Sequence, residues 1–267
     1  RVTDGVFALA YDRRQIYVSA SLAGRRRSYL GQPFNATRCA ERLRRLSART
    51  ATNNDCWWAT EVKVAAEPAR CAWGSTPGLM SHYHDTEWGF PTADNSRLFE
   101  KLCLEGFQSG LSWSTILNKR EDFRRCFKNF EINKVSKFTE ADVERLMGDA
   151  SIVRHRGKIE STINNAQRCH ELIKECGSLG AYIWQFEPKA STRPKRPTAA
   201  DVSTFITSPE SIALSKDLKK RGWSFVGPTT MYAFMQSMGL VNDHHVGCYV
   251  WKQVEDARRS FERPRTP

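Results

Sequence analysis

Apolar residues recur every third or fourth position through most of this chain, the period of a helix with one buried face. Leu98, Phe99, Leu102 and Cys103 make one such stripe, and Val143, Leu146 and Met147 a second. Ile159, Ile163, Ala166 and Cys169 make a third, Leu214 and Leu218 a fourth, and Met231, Phe234, Met235 and Met238 a fifth. Alternating apolar and polar stretches are scarce, and no internal repeat is present. The pattern predicts one all-α domain over residues 69–255. Residues 187–211 interrupt it with four Pro and many Ser and Thr, which predicts a long surface loop.

Residues 1–68 read differently. Basic residues outnumber acidic ones there, with Arg25, Arg26 and Arg27 in a row and Arg38, Arg42, Arg44, Arg45 and Arg49 close behind. Val2–Val18 holds the pattern of a short strand and Cys39–Ala48 that of a short helix, neither with an evident partner. The expectation is a basic, disordered extension with the Arg- and Ser-rich make-up of a targeting segment. Residues 256–267 read as a basic C-terminal tail. Arg1 in place of Met is expected of a fragment or a processed form.

Charge narrows the partners. The 267 residues hold 41 Lys and Arg against 29 Asp and Glu, net +12, which points to a polyanion, nucleic acid ahead of a membrane surface. No apolar run approaches the ~20 residues that span a bilayer, so no membrane is expected. Eight scattered Cys without a secretory segment predict a reducing, intracellular setting, with thiols free or bound to metal.

Three groups of residues carry candidate chemistry. The first is Cys71 and His84 near one end of the helical block, with His244 and Cys248 at the other. Two Cys and two His complete a tetrahedral zinc shell with no position for water, so such a metal is structural. His244 and Cys248, four apart, would share a helix face. By spacing alone, His82 and His245 are rivals, and buried thiols and imidazoles without metal remain an alternative. The second group is Lys219-Lys220-Arg221-Gly222-Trp223-Ser224-Phe225-Val226-Gly227-Pro228-Thr229-Thr230. There a basic helix end meets a glycine-bearing turn and a new helix start, a geometry that offers backbone N–H groups to a phosphate and is blind to sequence. An ordinary interhelical turn fits the same letters. The third group is Glu105 with Gln108, Ser112 and Trp113. Glu105 lies within the apolar stripe of Leu98 and Leu102, where a carboxylate is unfavourable unless hydrogen-bonded. Carboxylate, amide and indole together suit a flat heterocycle. A Glu that satisfies stray backbone N–H groups is the plainer reading.

Arg70-Cys71-Ala72-Trp73-Gly74, Tyr83-His84-Asp85-Thr86-Glu87-Trp88-Gly89, Leu104-Glu105-Gly106, Gly110-Leu111-Ser112-Trp113, Arg154-His155-Arg156-Gly157-Lys158-Ile159 and Gly239-Leu240-Val241-Asn242-Asp243-His244 together resemble the 3-methyladenine DNA glycosylase I family of helix-hairpin-helix glycosylases. The resemblance runs from Cys71 to Cys248. It implies an all-α helix-hairpin-helix fold whose structural zinc, held by Cys71, His84, His244 and Cys248, joins the two ends of the domain. It also implies excision of 3-methyladenine from alkylated double-stranded DNA by a monomeric enzyme, leaving an abasic site.

By the same resemblance, Glu105 is the catalytic carboxylate. Trp113, Tyr83, Trp73 and Gln108 hold the base, while Trp88 is aromatic core. Gly110 and Leu111 plug the gap in the duplex, and Lys220, Arg221, Gly222, Gly227 and Thr229 grip its backbone. Asn242 stands where related glycosylases carry Asp, and Pro228 and Thr229 stand in the turn where lyases carry Lys, so no Schiff-base nucleophile is available. Asp243 is expected to cap a helix beside His244 or to support the metal. Met80 and Phe107 depart from the family pattern near the pocket and would alter base selectivity. A bacterial chain would work in the cytoplasm or nucleoid, a eukaryotic one in the nucleus, mitochondrion or plastid. The competing readings are a catalytically inactive zinc-stapled DNA-binding module, which would not need Glu105 with Trp113, and a glycosylase with lyase activity, which the missing Lys opposes.

Overall fold

A computed structural model describes residues 69–267 and the backbone of two short strands nearer the start. The strands, β1 (Ala8–Asp12) and β2 (Gln15–Ser19), pair antiparallel, with Leu9 opposite Val18 and Tyr11 opposite Ile16. The strand expected between Val2 and Val18 is therefore two, each the partner of the other. The helix expected over Cys39–Ala48 and the expected disorder of the extension lie outside the described residues.

Residues 66–267 form a compact unit of their own. In chain order the helices are α1 (Leu79–Thr86), α2 (Asn95–Gln108), α3 (Trp113–Asn118), α4 (Arg120–Cys126), α5 (Ile132–Val135), α6 (Glu140–Gly148), α7 (Arg156–Cys176), α8 (Leu179–Ile183), α9 (Ala199–Ser203), α10 (Pro209–Lys220), α11 (Pro228–Ser237) and α12 (Trp251–Ser260). Four of the five apolar stripes fall wholly within α2, α6, α7 and α10, and the fifth in α11 and its C-cap Met238. Among the described residues no helix is long and apolar enough to cross a membrane.

Helix α2 is the keel of the site. Asp94 caps it, its carboxylate accepting from the Arg97 N–H at 2.8 Å. One face buries Leu98, Phe99 and Leu102 against α7, α8 and α11, and Phe107 stacks into a cluster with Phe123 and Phe127. At its other end Lys158 of α7 donates to the Phe107 and Ser109 carbonyls at 2.9 and 2.6 Å, closing a helix end that would otherwise leave buried acceptors. Phe107 is thus core, and the expectation that it tunes the base pocket is corrected: its ring points into the phenylalanine cluster.

Two loop readings also change. Residues 187–211 contain a short 3-10 turn at Ala190–Thr192 and the helix α9, which Thr198 caps by exchanging bonds with Asp201. The C-terminal tail expected from residue 256 begins inside α12. Beyond α12 it stays pinned, with Phe261 tilted onto Trp184 at 4.6 Å and Arg263 paired to Glu187 at 2.9 Å.

Candidate functional site

Cys71, His84, His244 and Cys248 converge, all buried, with their ligand atoms within 4.8 Å of one another. His84 enters from the last turn of α1, Cys71 from the segment before it, and the other two from the irregular stretch between α11 and α12. Cys248 Sγ lies 3.5 Å from both His84 Nε2 and His244 Nδ1, and Cys71 Sγ 3.6 Å from His244 Nδ1. A tetrahedral zinc, with sulfur at ~2.3 Å and nitrogen at ~2.0 Å, separates its sulfur and nitrogen ligands by about 3.5 Å. The four residues fit that ion.

The outer contacts fix both rings. His84 Nδ1 meets Asp85 Oδ1 at 2.8 Å, and Asp85 in turn is clamped by Arg70. His244 Nε2 meets the Trp88 carbonyl at 3.0 Å. Each imidazole therefore has the tautomer that presents a bare nitrogen inward. Burial opposes ionising Asp85, but bonds from Arg70 and His84 outweigh it and hold the carboxyl below its ordinary range. A hydrogen bond between the two sulfurs pushes the Cys71 thiol up and the Cys248 thiol down.

Close approach needs Gly74. A Cβ there would lie 2.5 Å from His84 Cγ. Gly74→Ala is therefore expected to displace His84, lowering both bound zinc, measured by metal analysis, and the melting temperature. An unchanged metal content would contradict the geometry. His244 and Cys248 do not share a helix: residues 242–248 form a turn in which the Cys248 N–H donates to the His245 carbonyl at 2.8 Å. Nor does Asp243 cap a helix or touch the metal ligands. Its buried carboxylate accepts from Tyr232 and Gln236 at 2.8 Å each and pairs with Arg193, tying this turn to α11.

Beside the Cys71, His84, His244 and Cys248 cluster opens a cavity of about 220 Å³, lined by Trp73, Met80, Tyr83, Trp88, Glu105, Gln108 and Trp113. The three aromatic residues expected to hold the base gather here with Glu105 and Gln108, and Trp88, expected to be core, lines the cavity beside them. Tyr83 and Trp113 tilt together at 5.3 Å. The Trp113 indole nitrogen is buried without a hydrogen-bond partner. Trp88 does two things at once, lining the cavity and packing edge-on against His244 at 4.7 Å. Trp73 likewise touches His84 at 5.0 Å. The two imidazoles of the cluster thus stand one ring away from the cavity. Asn242 is not among the lining residues, and its amide donates to the Trp251 carbonyl and to Glu255.

Glu105 is 5% exposed, and its partner was not anticipated. Lys101, one turn earlier on α2, places Nζ 3.0 Å from Glu105 Oε1, donates to Tyr83 Oη at 2.5 Å and sits 3.3 Å above the centre of the Trp113 ring. Burial, outweighing the pull of Glu105, pushes the ammonium down to about 8. A Lys four residues before Glu105 on the same stripe was the available signal.

The hairpin joins α10 to α11. Gly222 takes φ +81°, and Ser224 is pinned to α7 through Asn165 and Ser161. Ser215 donates to the Val226 carbonyl at 2.6 Å, closing the turn. Lys220, Gly222 and Thr229 are exposed around it, and Gly110 and the 42%-exposed Leu111 are exposed after α2. The Arg221 guanidinium is engaged within the protein, held by Asp217 at 2.7 Å and Glu175 at 2.5 Å.

Residues 73–252 match the methyladenine glycosylase family. The chain belongs to that family. It is 49% identical over 180 residues to DNA-3-methyladenine glycosylase 1 of Escherichia coli (strain K12), covering 67% of this chain and 95% of that one. It is 44% identical over 181 residues to DNA-3-methyladenine glycosylase of Haemophilus influenzae, covering 67% and 96%. Among solved structures, a crystal structure of 3-methyladenine DNA glycosylase I superposes with a TM-score of 0.62 at 45% identity, over 68% of this chain and 98% of that one. A tyrosine-to-phenylalanine variant of 3-methyladenine DNA glycosylase I, solved in complex with 3-methyladenine, superposes with a TM-score of 0.63 at 32% identity, over 74% and 99%. Family membership accounts for the residues that converge on one cavity from α1, α2 and α3.

Proposed function

We propose that this chain is a monofunctional DNA glycosylase of base-excision repair, hydrolysing the glycosidic bond of 3-methyladenine in alkylated double-stranded DNA. The observation that carries the reading is Glu105, a buried carboxylate in the wall of an aromatic cavity. N3-alkylation gives adenine a positive charge, so its bond to the sugar is already weak. When that bond breaks, both electrons pass to the ring, which leaves neutral, and water adds to the sugar carbon and loses a proton. The protein need only extrude the nucleotide, grip the ring and exclude alternatives.

The proposed roles follow. Glu105 accepts the exocyclic N6–H₂ and favours the charged ring, while a guanine O6, itself an acceptor, would be repelled. Trp113 stacks on the base, with Tyr83, Trp73 and Gln108 closing round it and Met80 setting the shape of one side. Leu111 and Gly110 enter the gap left in the duplex. Lys220, Gly222, Gly227 and Thr229 meet the phosphate backbone, and Arg221 holds the hairpin in place. Zinc, bound by Cys71, His84, His244 and Cys248, fastens the two ends of the domain and takes no part in bond breaking. The enzyme acts as a monomer wherever alkylated DNA is housed.

Two outcomes test this. Methylated duplex treated with the protein should accumulate abasic sites yet stay unbroken until exposed to alkali; immediate nicking would point to a lyase. Lys220→Ala should weaken binding to all duplexes alike and reduce the salt slope by about one. Arg221→Ala should leave the salt slope unchanged, and a reduced slope there would contradict the ion pairs to Asp217 and Glu175.

A further inference from the structure

Lys101 has no place in the roles above, yet it touches three of the cavity's walls. Its ammonium bonds Glu105 and Tyr83 and lies against one face of Trp113, while the side chain itself is not among those lining the cavity. It sits behind the wall, 5% exposed. An ammonium has three donors and no acceptor. Tyr83 Oη must therefore accept from Lys101, which frees the phenolic hydrogen to point elsewhere. One Glu105 oxygen is held by Lys101, leaving the other for the ring.

The charge matters as much as the aim. During excision the positive charge leaves the base and moves to the sugar. A lone buried carboxylate beside the ring would hold it in its charged, unreacted form. A cation paired to that carboxylate removes this bias. We infer that Lys101 is a positioning residue for excision, which aims Glu105 and Tyr83 and offsets the Glu105 charge so that the ring is free to leave neutral. This deepens the base-pocket reading and rests on it.

Other charges face the ammonium. Glu105 lies on its own helix, Tyr83 on α1, Glu87 just beyond α1 and Arg120 on α4. Burial dominates them and brings Lys101 down to about 8. Above that pH the lysine is neutral, the offset is lost and excision should slow.

The test pairs single-turnover excision from methylated duplex, between pH 6.5 and 9.5, with inhibition by 3,9-dimethyladeninium, a permanently charged ring with no sugar to lose. Lys101→Met should lower the maximal rate roughly tenfold or more while the charged ring inhibits more tightly, because ground-state destabilisation has been removed. Its rate should lose the decline near pH 8. Lys101→Arg, which cannot deprotonate in this range, should retain most of the rate and extend it to higher pH. Should Lys101→Met fail to fold, a Lys101→Arg profile identical to wild type would overturn the inference by itself. Joint loss of rate and of inhibition in Lys101→Met, or no change in either, would overturn it too and leave the base pocket standing. Failure of the charged ring to inhibit the wild-type protein would overturn both.

Discussion

Glu105→Gln should slow release of 3-methyladenine by about a hundredfold, the scale of losing one preorganised electrostatic contact, while leaving the protein folded. The substitution keeps the shape but turns one carboxylate oxygen into an NH₂ donor, so the side chain can no longer accept from Lys101 and from the exocyclic N6–H₂ at once. Its structural consequence is limited by Lys101. Unpairing a buried ammonium is ordinarily severe, yet this one already lies down at about 8. It can shed its proton and remain as a neutral amine bonded to Tyr83. Thermal melting beside the kinetic assay separates the two effects. A rate and a stability that fall in parallel would make Glu105 a structural residue only.

Metal removal should have the larger effect on stability. Cys248→Ser, or prolonged chelation, takes one link from a site that ties Cys71 and His84 to His244 and Cys248 across more than 150 intervening residues. A ligand bound a thousandfold above its dissociation constant stabilises the folded state by roughly 4 kcal/mol. For a domain of this size that corresponds to about 8–16 °C in melting temperature. Excision should fall as well, because Trp73 and Trp88 rest on His84 and His244 and also line the cavity. Protein stripped of metal that melts and excises unchanged would remove zinc from the account.

Much of this was legible in the sequence, for identifiable reasons. The stripes in α6, α7, α10 and α11 announce themselves because each of these helices keeps part of its circumference toward solvent, whereas α2 is buried all round from Leu98 to Phe107 and its stripe shows only part of its packing. The metal ligands could be picked out because two Cys and two His are chemically distinctive, though spacing alone left His82 and His245 as rivals. A four-residue spacing could not tell a helix from a turn, so His244 and Cys248 were placed on a helix they do not share. The turn is set instead by Asn242 accepting from the His244 N–H and by the Cys248 N–H bonding back to His245. Asp243 was misread for the same reason, since its partners Tyr232, Gln236 and Arg193 come from other parts of the fold.

Charged residues were the hardest to assign. Arg221 reads as a free basic residue until α7 brings Glu175 beside it. Phe107 follows Glu105 by two positions, yet the helix turns its ring to the opposite side, into Phe123 and Phe127. Lys101 falls on the apolar stripe four residues before Glu105, but a lysine so placed ordinarily carries its ammonium out to solvent. Only the packing of α1 and α3 over α2 shows that it is buried behind the cavity.

The most direct test is chromatography of the bases freed from methylated duplex DNA by the wild-type protein. Free 3-methyladenine should be the main product, with unmodified adenine and guanine retained in the strand. Tight binding to the duplex with no base released would contradict it and leave a zinc-stapled DNA-binding module.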